Sequence, residues 1–434
     1  MRNSFSRRRF GLCCAGMGIS ALAGPPIAAR ATSIPELMER EPPMLETLKW
    51  APQVHKAIQN VINANGQYSS IYNPQRRPYV VVDWNNTTIV GDVQETLFLY
   101  MLEHFSFLMR ADEFRHLIHV HAFAHPLPAP FFNMAGQPVS FPVLVDDLIE
   151  DYRALAARYG HMPHPLPRDV LAKDITLQAF RARMAFCQQA VATLHGPEAA
   201  QRWMIRLVAG QTAADVIALS RAANEWCLGA SITTQTWECP AERPGKAGPV
   251  SAKVVQALRL TPEMANLFQI LQEHGIDPVI CTSGMEDITA LFATSAEYGY
   301  NLPREHVFGA RLAERKKILL STEAAHYPFP ADAGKTAIIH KYFVAKRQMP
   351  PLMIFAGEDC SAHMLDAFPD TKLCCLINRK QSAPMQKFLQ KAAQSASDTT
   401  PRQFYLQGRD ENTGEWLPEE GSILLGETNP SLPT

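Results

Sequence analysis

Residues 79–90 read Tyr79-Val80-Val81-Val82-Asp83-Trp84-Asn85-Asn86-Thr87-Thr88-Ile89-Val90. Four residues that favour β-strands are followed at once by an aspartate, and then by polar residues that favour turns. A buried parallel strand whose carboxyl end opens into a site has this pattern, because both faces of such a strand are covered. Asp83 is therefore a candidate for chemistry. The pattern also fits an aspartate that only starts an Asx-turn or caps the next element.

Length and charge restrict the classes of protein. The chain has 434 residues, 47% of them hydrophobic, and a formal net charge of −1. This length suits two or three domains, and the apolar content is enough for a large core. A charge balance so close to zero provides no basic surface for nucleic acid. We therefore expect a small-molecule partner and no nucleic acid.

The N-terminal residues 1–31 are expected to be a targeting segment rather than part of the fold. Ser6-Arg7-Arg8-Arg9-Phe10-Gly11-Leu12 resembles the twin-arginine export signal, and Ala29-Arg30-Ala31 has the Ala-x-Ala form of a cleavage site. The apolar run between them is too short and too interrupted to cross a membrane. The segment therefore predicts transport by the twin-arginine export machinery to the periplasm or the medium, with no stable membrane anchor.

Strand-like and helix-like patterns alternate at both ends of the chain but not in its middle. From residue 91 to residue 250, apolar residues recur at helical spacing and the segments are separated by proline-rich loops. After residue 250 apolar strands alternate with helices again, as in a doubly wound parallel sheet. We predict an α/β core formed by residues 45–90 and 251–427, a helical insert at 91–250 and a flexible tail at 428–434.

Polar or charged residues follow three further apolar or strand-like segments. One run ends in Thr282 and Ser283 before a helix, where hydroxyl groups and a helix N-terminus can bind an oxyanion. Lys335 lies in the first turn of another helix, and Glu358 and Asp359 follow a third run. Two adjacent acids after a buried strand can supply hard oxygen ligands for a metal ion.

These segments resemble, in order, the motifs of the haloacid-dehalogenase (HAD) superfamily of hydrolases, and within it bacterial proteins related to phosphorylcholine and phosphoserine phosphatases. The family pattern is Asp-x-Asp-x-Thr after the first strand, Ser or Thr after the second, then Gly-Lys, and then an acidic strand end. The resemblance implies a Rossmann-like α/β core with an α-helical cap domain inserted after the first motif. It implies Asp83 as nucleophile, Thr282 or Ser283 as the phosphate-binding hydroxyl, and Lys335 as the lysine that neutralises the nucleophile and the phosphoryl group.

The resemblance also implies Mg²⁺ as cofactor. Its ligands would be Asp83, the backbone carbonyl of Asn85, and either Glu358 or Asp359. The implied reaction is the hydrolysis of a small phosphomonoester similar to phosphocholine, through an aspartyl-phosphate on Asp83.

Asn85 departs from the family pattern, because the general acid/base at this position is normally an aspartate. An amide cannot protonate a leaving alkoxide, and general acid/base catalysis is worth roughly 10²–10⁴-fold. Three interpretations remain. The protein is a phosphatase that works slowly, on activated esters or with an acid from elsewhere; or a catalytically impaired pseudoenzyme that binds a phosphorylated or choline-like ligand; or a hydrolase of a bond other than a phosphoester.

Overall fold

The structure is a computed structural model that describes residues 41–119, 123, 126–160, 171–379, 383–394 and 402–433. The predicted export segment, residues 1–31, lies outside the described residues. Within the described part of the chain, none of the helices combines the length and the apolar content that crossing a membrane requires.

Strands and helices alternate over much of the chain. The strands are β1 Tyr79–Val82, β2 Val90–Gly91, β3 Thr233–Glu238, β4 Ser251–Gln256, β5 Leu258–Arg259, β6 Asp277–Met285, β7 Val307–Ala310, β8 Leu312–Arg315, β9 Ile318–Glu323, β10 Met353–Ala356, β11 Leu373–Ile377, β12 Phe404–Arg409 and β13 Trp416–Leu417. The main helices are α1 Pro52–Asn65, α2 Val93–His104, α3 Ala111–Ile118, α4 Phe141–Tyr159, α5 Ile175–His195, α6 Pro197–Arg206, α7 Ala213–Leu228, α8 Pro262–Glu273, α9 Glu286–Thr294, α10 Ala333–Ile339, α11 Ala362–Ala367 and α12 Ala383–Gln394.

The central sheet has seven strands in the order β13-β12-β11-β10-β1-β6-β7. β1 pairs in parallel with β10 on one side and with β6 on the other, so Val82 lies opposite both Phe355 and Ile280. β13, at one edge, is antiparallel to β12. Because the inner strands run in one direction, the residues that follow them meet at one edge of the sheet. The segments after β1, β6 and β10 are therefore brought together.

Successive side chains of β1 enter two hydrophobic cores on opposite faces of the sheet. Val80 and Val82 belong to the core that continues into α1 and the inserted helices, and Tyr79 and Val81 belong to the core closed by α10, α11 and α12. All four side chains are buried. A strand covered on both faces is a continuous apolar run, which explains the sequence pattern. The predicted doubly wound parallel sheet with inserted helices is confirmed.

The inserted helices α2 to α7 are connected to the core by two segments that lie side by side. β2 pairs with β5, so Gly91 lies opposite Leu258 where the two connections meet. A hairpin of β3 and β4 follows α7, in a region where the sequence indicated helix alone. Three threonines in the first four residues of β3 favour a strand, and the mostly exposed strand lacks the apolar periodicity that would have marked it.

The C-terminal segment contacts the core. Over residues 428–433, within the segment expected to be a flexible tail, Ser431 forms an antiparallel bridge with Ser422 through two backbone hydrogen bonds of 2.9 and 3.0 Å. The Asn378 side chain donates to the Ser431 carbonyl at 2.8 Å.

Candidate active site

Asp83 lies directly after β1, and its side chain is fully buried. Its Oδ1 accepts a hydrogen bond from the backbone N–H of Trp84 at 2.8 Å. Its Oδ2 accepts from the Ser361 hydroxyl at 2.6 Å and lies 2.7 Å from Nζ of Lys335. Lys335 Nζ also donates to Ser361 Oγ at 2.8 Å. The carboxylate is therefore held in one orientation by contacts to both of its oxygens.

Lys335, in the first turn of α10, supplies the positive charge beside Asp83. The lysine side chain is fully buried. Burial by itself would lower the pKa of this ammonium, but the charge and hydrogen bond of Asp83, together with the nearby Cys360 and Cys281, outweigh burial, and the pKa of Lys335 is raised. Removing one member of such a buried ion pair costs about 3–5 kcal/mol, because the other charge is left uncompensated. The two residues predicted as nucleophile and neutralising lysine are in direct contact.

Ser361 is a site residue that sequence reasoning did not single out. It lies in the short helical turn after β10 and is fully buried. Its hydroxyl accepts from Lys335 and donates to Asp83. The resembled family has a second acid near this position, so a serine there gave no recognisable signal.

The residues after Asp83 form a tight turn. Thr88 Oγ1 donates to the Asp83 carbonyl at 2.7 Å, and Asn86 adopts a φ of 53°, in the left-handed region that asparagine tolerates. Asn85 is fully buried, and its Oδ1 accepts from the backbone N–H of Val93 at 3.2 Å. Its Nδ2 has no partner among the described residues. Asn85 thus acts as an acceptor at the start of α2, and its amide has no acidic proton to transfer.

The two hydroxyl residues predicted to bind phosphate lie in β6, next to β1. Thr282 is fully buried, and its Oγ1 accepts from the backbone N–H of Gly284 at 3.2 Å. Ser283 lines a cavity of about 140 Å³ together with Glu358 and Asp359. The Thr282 hydroxyl is therefore used within its own turn, and Ser283 is the residue that faces the cavity.

Metal-ligating atoms gather at the end of β10. Carboxylate oxygens of Asp83 and Glu358 and Sγ of Cys360 all lie within 4.8 Å of one another. Asp359 is not part of this group, which leaves Asp83 and Glu358 as the predicted metal-binding side chains that come together. Burial, and next the charge of Asp83, raises the pKa of Glu358 to about 7. Two hard carboxylates, of which only Asp83 contacts the Lys335 ammonium, fit a divalent cation. The backbone carbonyl of Asn85 was the other predicted ligand.

Arg409, in β12, holds the turn after Asp83 from the C-terminal part of the chain. Its fully buried guanidinium donates to the Asn86 carbonyl at 3.2 Å and to Asn86 Oδ1 at 3.4 Å. Glu411 accepts from Arg409 at 2.6 and 3.1 Å and balances its charge. Asn86 Nδ2 in turn donates to Glu358 Oε1 at 2.9 Å. Arg409 thus orients Glu358 through Asn86. In the sequence, Arg409 could have been recognised as a candidate site residue because it is a charged residue at the end of a strand.

The inserted helices reach the site through the start of α6. Pro197, Glu198 and Gln201 line the same cavity of about 140 Å³ as Ser283 and Glu358. Because Asp83 itself is fully buried, a ligand that entered this cavity would first meet residues of both the insert and the core.

A second cavity, of about 430 Å³, shares Arg379 with the first. Its lining includes four carboxyl groups, those of Asp92, Glu95, Glu411 and Glu427. Burial, and next the charge of Glu95, raises the pKa of Asp92 to about 7. Burial, and next the charge of Glu358, raises the pKa of Glu95 to about 7. Glu411 is paired with Arg379 and Arg409, so this cavity should attract positive charge when Asp92 and Glu95 are ionised.

Comparisons with known proteins identify a fold match and no family. No family model and no curated protein matches the chain. A crystal structure of a conserved, functionally unknown protein from Anaerococcus prevotii DSM 20548 is similar over 89% of this chain and 99% of that chain, with 27% sequence identity and a TM-score of 0.79.

Two solved structures of hydrolase-like proteins are much less similar. A HAD family hydrolase from Salmonella enterica subsp. enterica serovar Typhi has 12% identity and a TM-score of 0.33, over 71% of this chain and 66% of that chain. A phosphoserine phosphohydrolase-like protein from Francisella tularensis subsp. tularensis SCHU S4 has 12% identity and a TM-score of 0.28, over 69% of this chain and 87% of that chain. Such low TM-scores carry no argument about activity. The resemblance to the HAD superfamily therefore rests on the motif residues.

Proposed function

We propose that the protein is an exported, magnesium-dependent HAD-like phosphatase that hydrolyses a small phosphomonoester through an aspartyl-phosphate on Asp83. The contact of Asp83 with Lys335 and Ser361 carries this proposal. A fixed carboxylate beside a buried ammonium, at a strand end that also presents Ser283, is suited to attack on a phosphoryl group.

The residues that would hold Mg²⁺ are Asp83 and Glu358, with the carbonyl of Asn85 as a further oxygen ligand. When bound, the ion would offset the repulsion between the carboxylate nucleophile and the phosphate dianion. The closeness of the two carboxylates supports this assignment.

The reaction would take two steps. An oxygen of Asp83 attacks phosphorus, the bond from phosphorus to the leaving oxygen breaks, and that oxygen takes up a proton. Water then cleaves the acyl phosphate, which releases inorganic phosphate and a proton and restores the carboxylate. Lys335 balances negative charge at Asp83, and Ser283 can donate to a phosphoryl oxygen. Asn85 supplies no proton, so we expect good leaving groups to react fastest.

The acidic second cavity supports a substrate whose leaving group is positively charged, as in phosphocholine. The carboxyl groups of Asp92 and Glu95 would attract such a group when they are ionised. Trp84, next to the nucleophile, does not offer an aromatic face, because it is fully buried against Phe292 and Tyr300. We therefore expect the cation to be recognised through charge rather than through cation–π contact.

A pseudoenzyme that binds a phosphorylated or choline-like ligand without turnover is the second candidate. Asn85 favours it, since its side chain is fixed as an acceptor for Val93 and cannot act as an acid. Hydrolysis of a non-phosphoester bond through Asp83 is the third candidate, because chemistry with a better leaving group does not need that acid.

One set of assays separates the candidates. The purified protein is tested with Mg²⁺ on an aryl phosphate and on phosphocholine, beside Asp83→Asn and Asn85→Asp. For a phosphatase, the wild type hydrolyses the aryl ester, Asp83→Asn is inactive, and Asn85→Asp is faster on phosphocholine by roughly 10²–10⁴-fold. If wild type and Asn85→Asp are both inactive while a phosphate mimic raises the melting temperature, the protein is a binding protein. Halide release from a haloacid that requires Asp83 would support the third candidate.

Export is supported by the arginine-rich motif of residues 6–12 and has its own test. Replacement of Arg7 and Arg8 by lysine should keep the protein in the cytoplasm, whereas the wild type should be recovered from the periplasm or the medium. Equal export of both forms would rule out the twin-arginine machinery.

A further inference from the structure

Cys360 adds a sulfur atom to the group of possible metal ligands that Asp83 and Glu358 form with their carboxylates. Its Sγ lies 4.0 Å from Glu358 Oε2 and belongs to the group in which all ligand atoms are within 4.8 Å of one another. Asp359, the alternative oxygen donor in the sequence, is outside that group. The third side chain at this point is therefore a thiol, which is a soft ligand, and not a hard carboxylate.

The thiol can be reached from the cavity beside the site. Cys360 lines the cavity of about 140 Å³ together with Glu358 and Ser283. Both Cys360 and Cys187, in α5, belong to the hydrophobic core, but Cys360 is 9% exposed and Cys187 is 0% exposed. A metal ion could thus meet Cys360 and Glu358 without unfolding of the sheet.

The ligand set suits zinc better than magnesium. Mg²⁺ can be held by two carboxylates such as those of Asp83 and Glu358, with water completing its octahedral shell of oxygen atoms, but it does not use sulfur, so Cys360 would remain outside a magnesium site. Zn²⁺ accepts sulfur and oxygen together in four-coordinate sites, at about 2.3 Å from sulfur and about 2.0–2.2 Å from oxygen. Two carboxylates and a thiolate carry three negative charges, which one dication and the Lys335 ammonium would balance.

We propose that Asp83, Glu358 and Cys360 form a three-ligand site for a thiophilic dication such as Zn²⁺, with a fourth position open to the cavity. Binding breaks the S–H bond of Cys360, forms a sulfur–metal bond and releases the proton to the buffer, with no change of oxidation state. An open fourth position is the arrangement in which zinc binds water or an anion. The site shares Asp83 and Glu358 with the proposed phosphatase, but its occupation does not depend on turnover.

The test measures metal binding to the full-length protein without any phosphate ester, with Cys13→Ser and Cys14→Ser in every variant so that thiols of the predicted targeting segment bind no metal. EDTA-treated protein is titrated with Cd²⁺, whose bond to a thiolate gives an ultraviolet charge-transfer band, and with Zn²⁺ and Mg²⁺ by calorimetry. Cys360→Ala is compared with Cys187→Ala, which removes a buried thiol distant from the centre. We expect one equivalent of Cd²⁺ to give the band in the wild type and in Cys187→Ala, and no band in Cys360→Ala.

Zn²⁺ affinity should fall at least tenfold in Cys360→Ala, while Mg²⁺ affinity stays unchanged. The proposed site would be wrong if the Cd²⁺ band persists in Cys360→Ala. Equal Zn²⁺ affinity in Cys360→Ala and Cys187→Ala would also contradict it. Glu358→Gln keeps the thiol of Cys360 and should still lower Zn²⁺ affinity, because a second ligand is lost. Unchanged Zn²⁺ affinity in this variant would show that Glu358 is not a ligand. Circular dichroism confirms that each variant is folded. Failure here leaves the phosphatase open, because hydrolysis is measured separately with Mg²⁺.

Discussion

Asp92→Asn should stabilise the protein at pH 8, although it changes the residue that caps α2. Asp92 Oδ1 accepts from the backbone N–H groups of Gln94 and Glu95 at 2.6 and 3.1 Å. Asparagine is about as good an N-cap as aspartate, so these bonds survive the change. Gln201 Nε2 donates to Asp92 Oδ2, and Gln201 Oε1 has no partner among the described residues. Rotation of the Gln201 amide would let it accept from the new side chain.

The size of the effect follows from the pKa of Asp92, which burial and the charge of Glu95 raise from 3.8 to about 7. Between these values the folded protein keeps a proton that the unfolded chain has lost, so the free energy of unfolding falls as pH rises. A pKa unit is worth about 1.36 kcal/mol, which makes the full loss about 4 kcal/mol. Asparagine does not titrate. The variant should therefore gain little near pH 4 and up to about 4 kcal/mol above pH 7.

Asp174→Asn is the matched control and should have the opposite sign. Asp174 caps α5 through the N–H groups of Thr176 and Leu177, as Asp92 caps α2. Burial would raise its pKa, but hydrogen bonds from Tyr159 and Arg158 outweigh it, and the pKa of Asp174 is lowered. A lowered carboxyl pKa stabilises the fold at neutral pH and loses that effect as pH falls. Asp174→Asn should thus destabilise the protein by about the same amount at pH 5 and at pH 8, because both values lie above the unfolded carboxyl pKa of 3.8.

Urea unfolding of the three proteins at pH 5 and pH 8, with EDTA present, measures both effects. A loss of stability in Asp92→Asn at pH 8, as in Asp174→Asn, or an equal gain at both pH values would contradict a raised pKa of Asp92. A small gain at pH 5 and a large one at pH 8 is the expected result.

Lys335→Met should lower the free energy of unfolding by about 3–5 kcal/mol, because it leaves Asp83 charged and unpaired. Addition of Asp83→Asn should recover part of that loss in urea unfolding, and no recovery would mean that the pair is not coupled. Gly357→Ala should lower kcat at least tenfold, since its Cβ would lie 2.4 Å from the Asn86 carbonyl oxygen; Gly229→Ala, whose Cβ has ordinary contacts, is the control. If the second cavity holds a cationic leaving group, KM for phosphocholine should rise from pH 8 to pH 6, as carboxyl groups with pKa values of about 7 become protonated, and it should rise more than KM for an aryl phosphate, whose leaving group is uncharged.

The sequence predicted those elements of the fold that are determined by a local pattern of residues. β1 is a run of four apolar residues because both its faces are buried, and Asp83 follows it within one residue. Lys335 was identified through the Gly-Lys motif of the resembled family, because its place in the first turn of a helix is by itself common for a solvated lysine. The hairpin of β3 and β4 was missed because an exposed strand has no apolar pattern to reveal it.

The unpredicted residues of the candidate site depend on contacts between distant parts of the chain. Ser361 donates to Asp83 across 278 positions of sequence, and nothing next to Ser361 indicates such a contact. Cys360 resembles any small core residue until Asp83 and Glu358 are brought beside it. Residue type and spacing indicated Asp83, Glu358 and Asp359 as possible metal ligands. Tertiary packing determines that only Asp83 and Glu358 of these lie close together.

The anchoring of Asn86 by Arg409 has a consequence for how the protein is made. The two residues are 323 positions apart, and the N-terminal part of a chain leaves the ribosome first. Asp83 and Lys335 can meet while β12 is still being synthesised, but the turn between β1 and α2 then lacks its guanidinium. A nascent chain would therefore carry Asp83 next to a turn that is not yet held, and that turn would become fixed only when translation is almost complete.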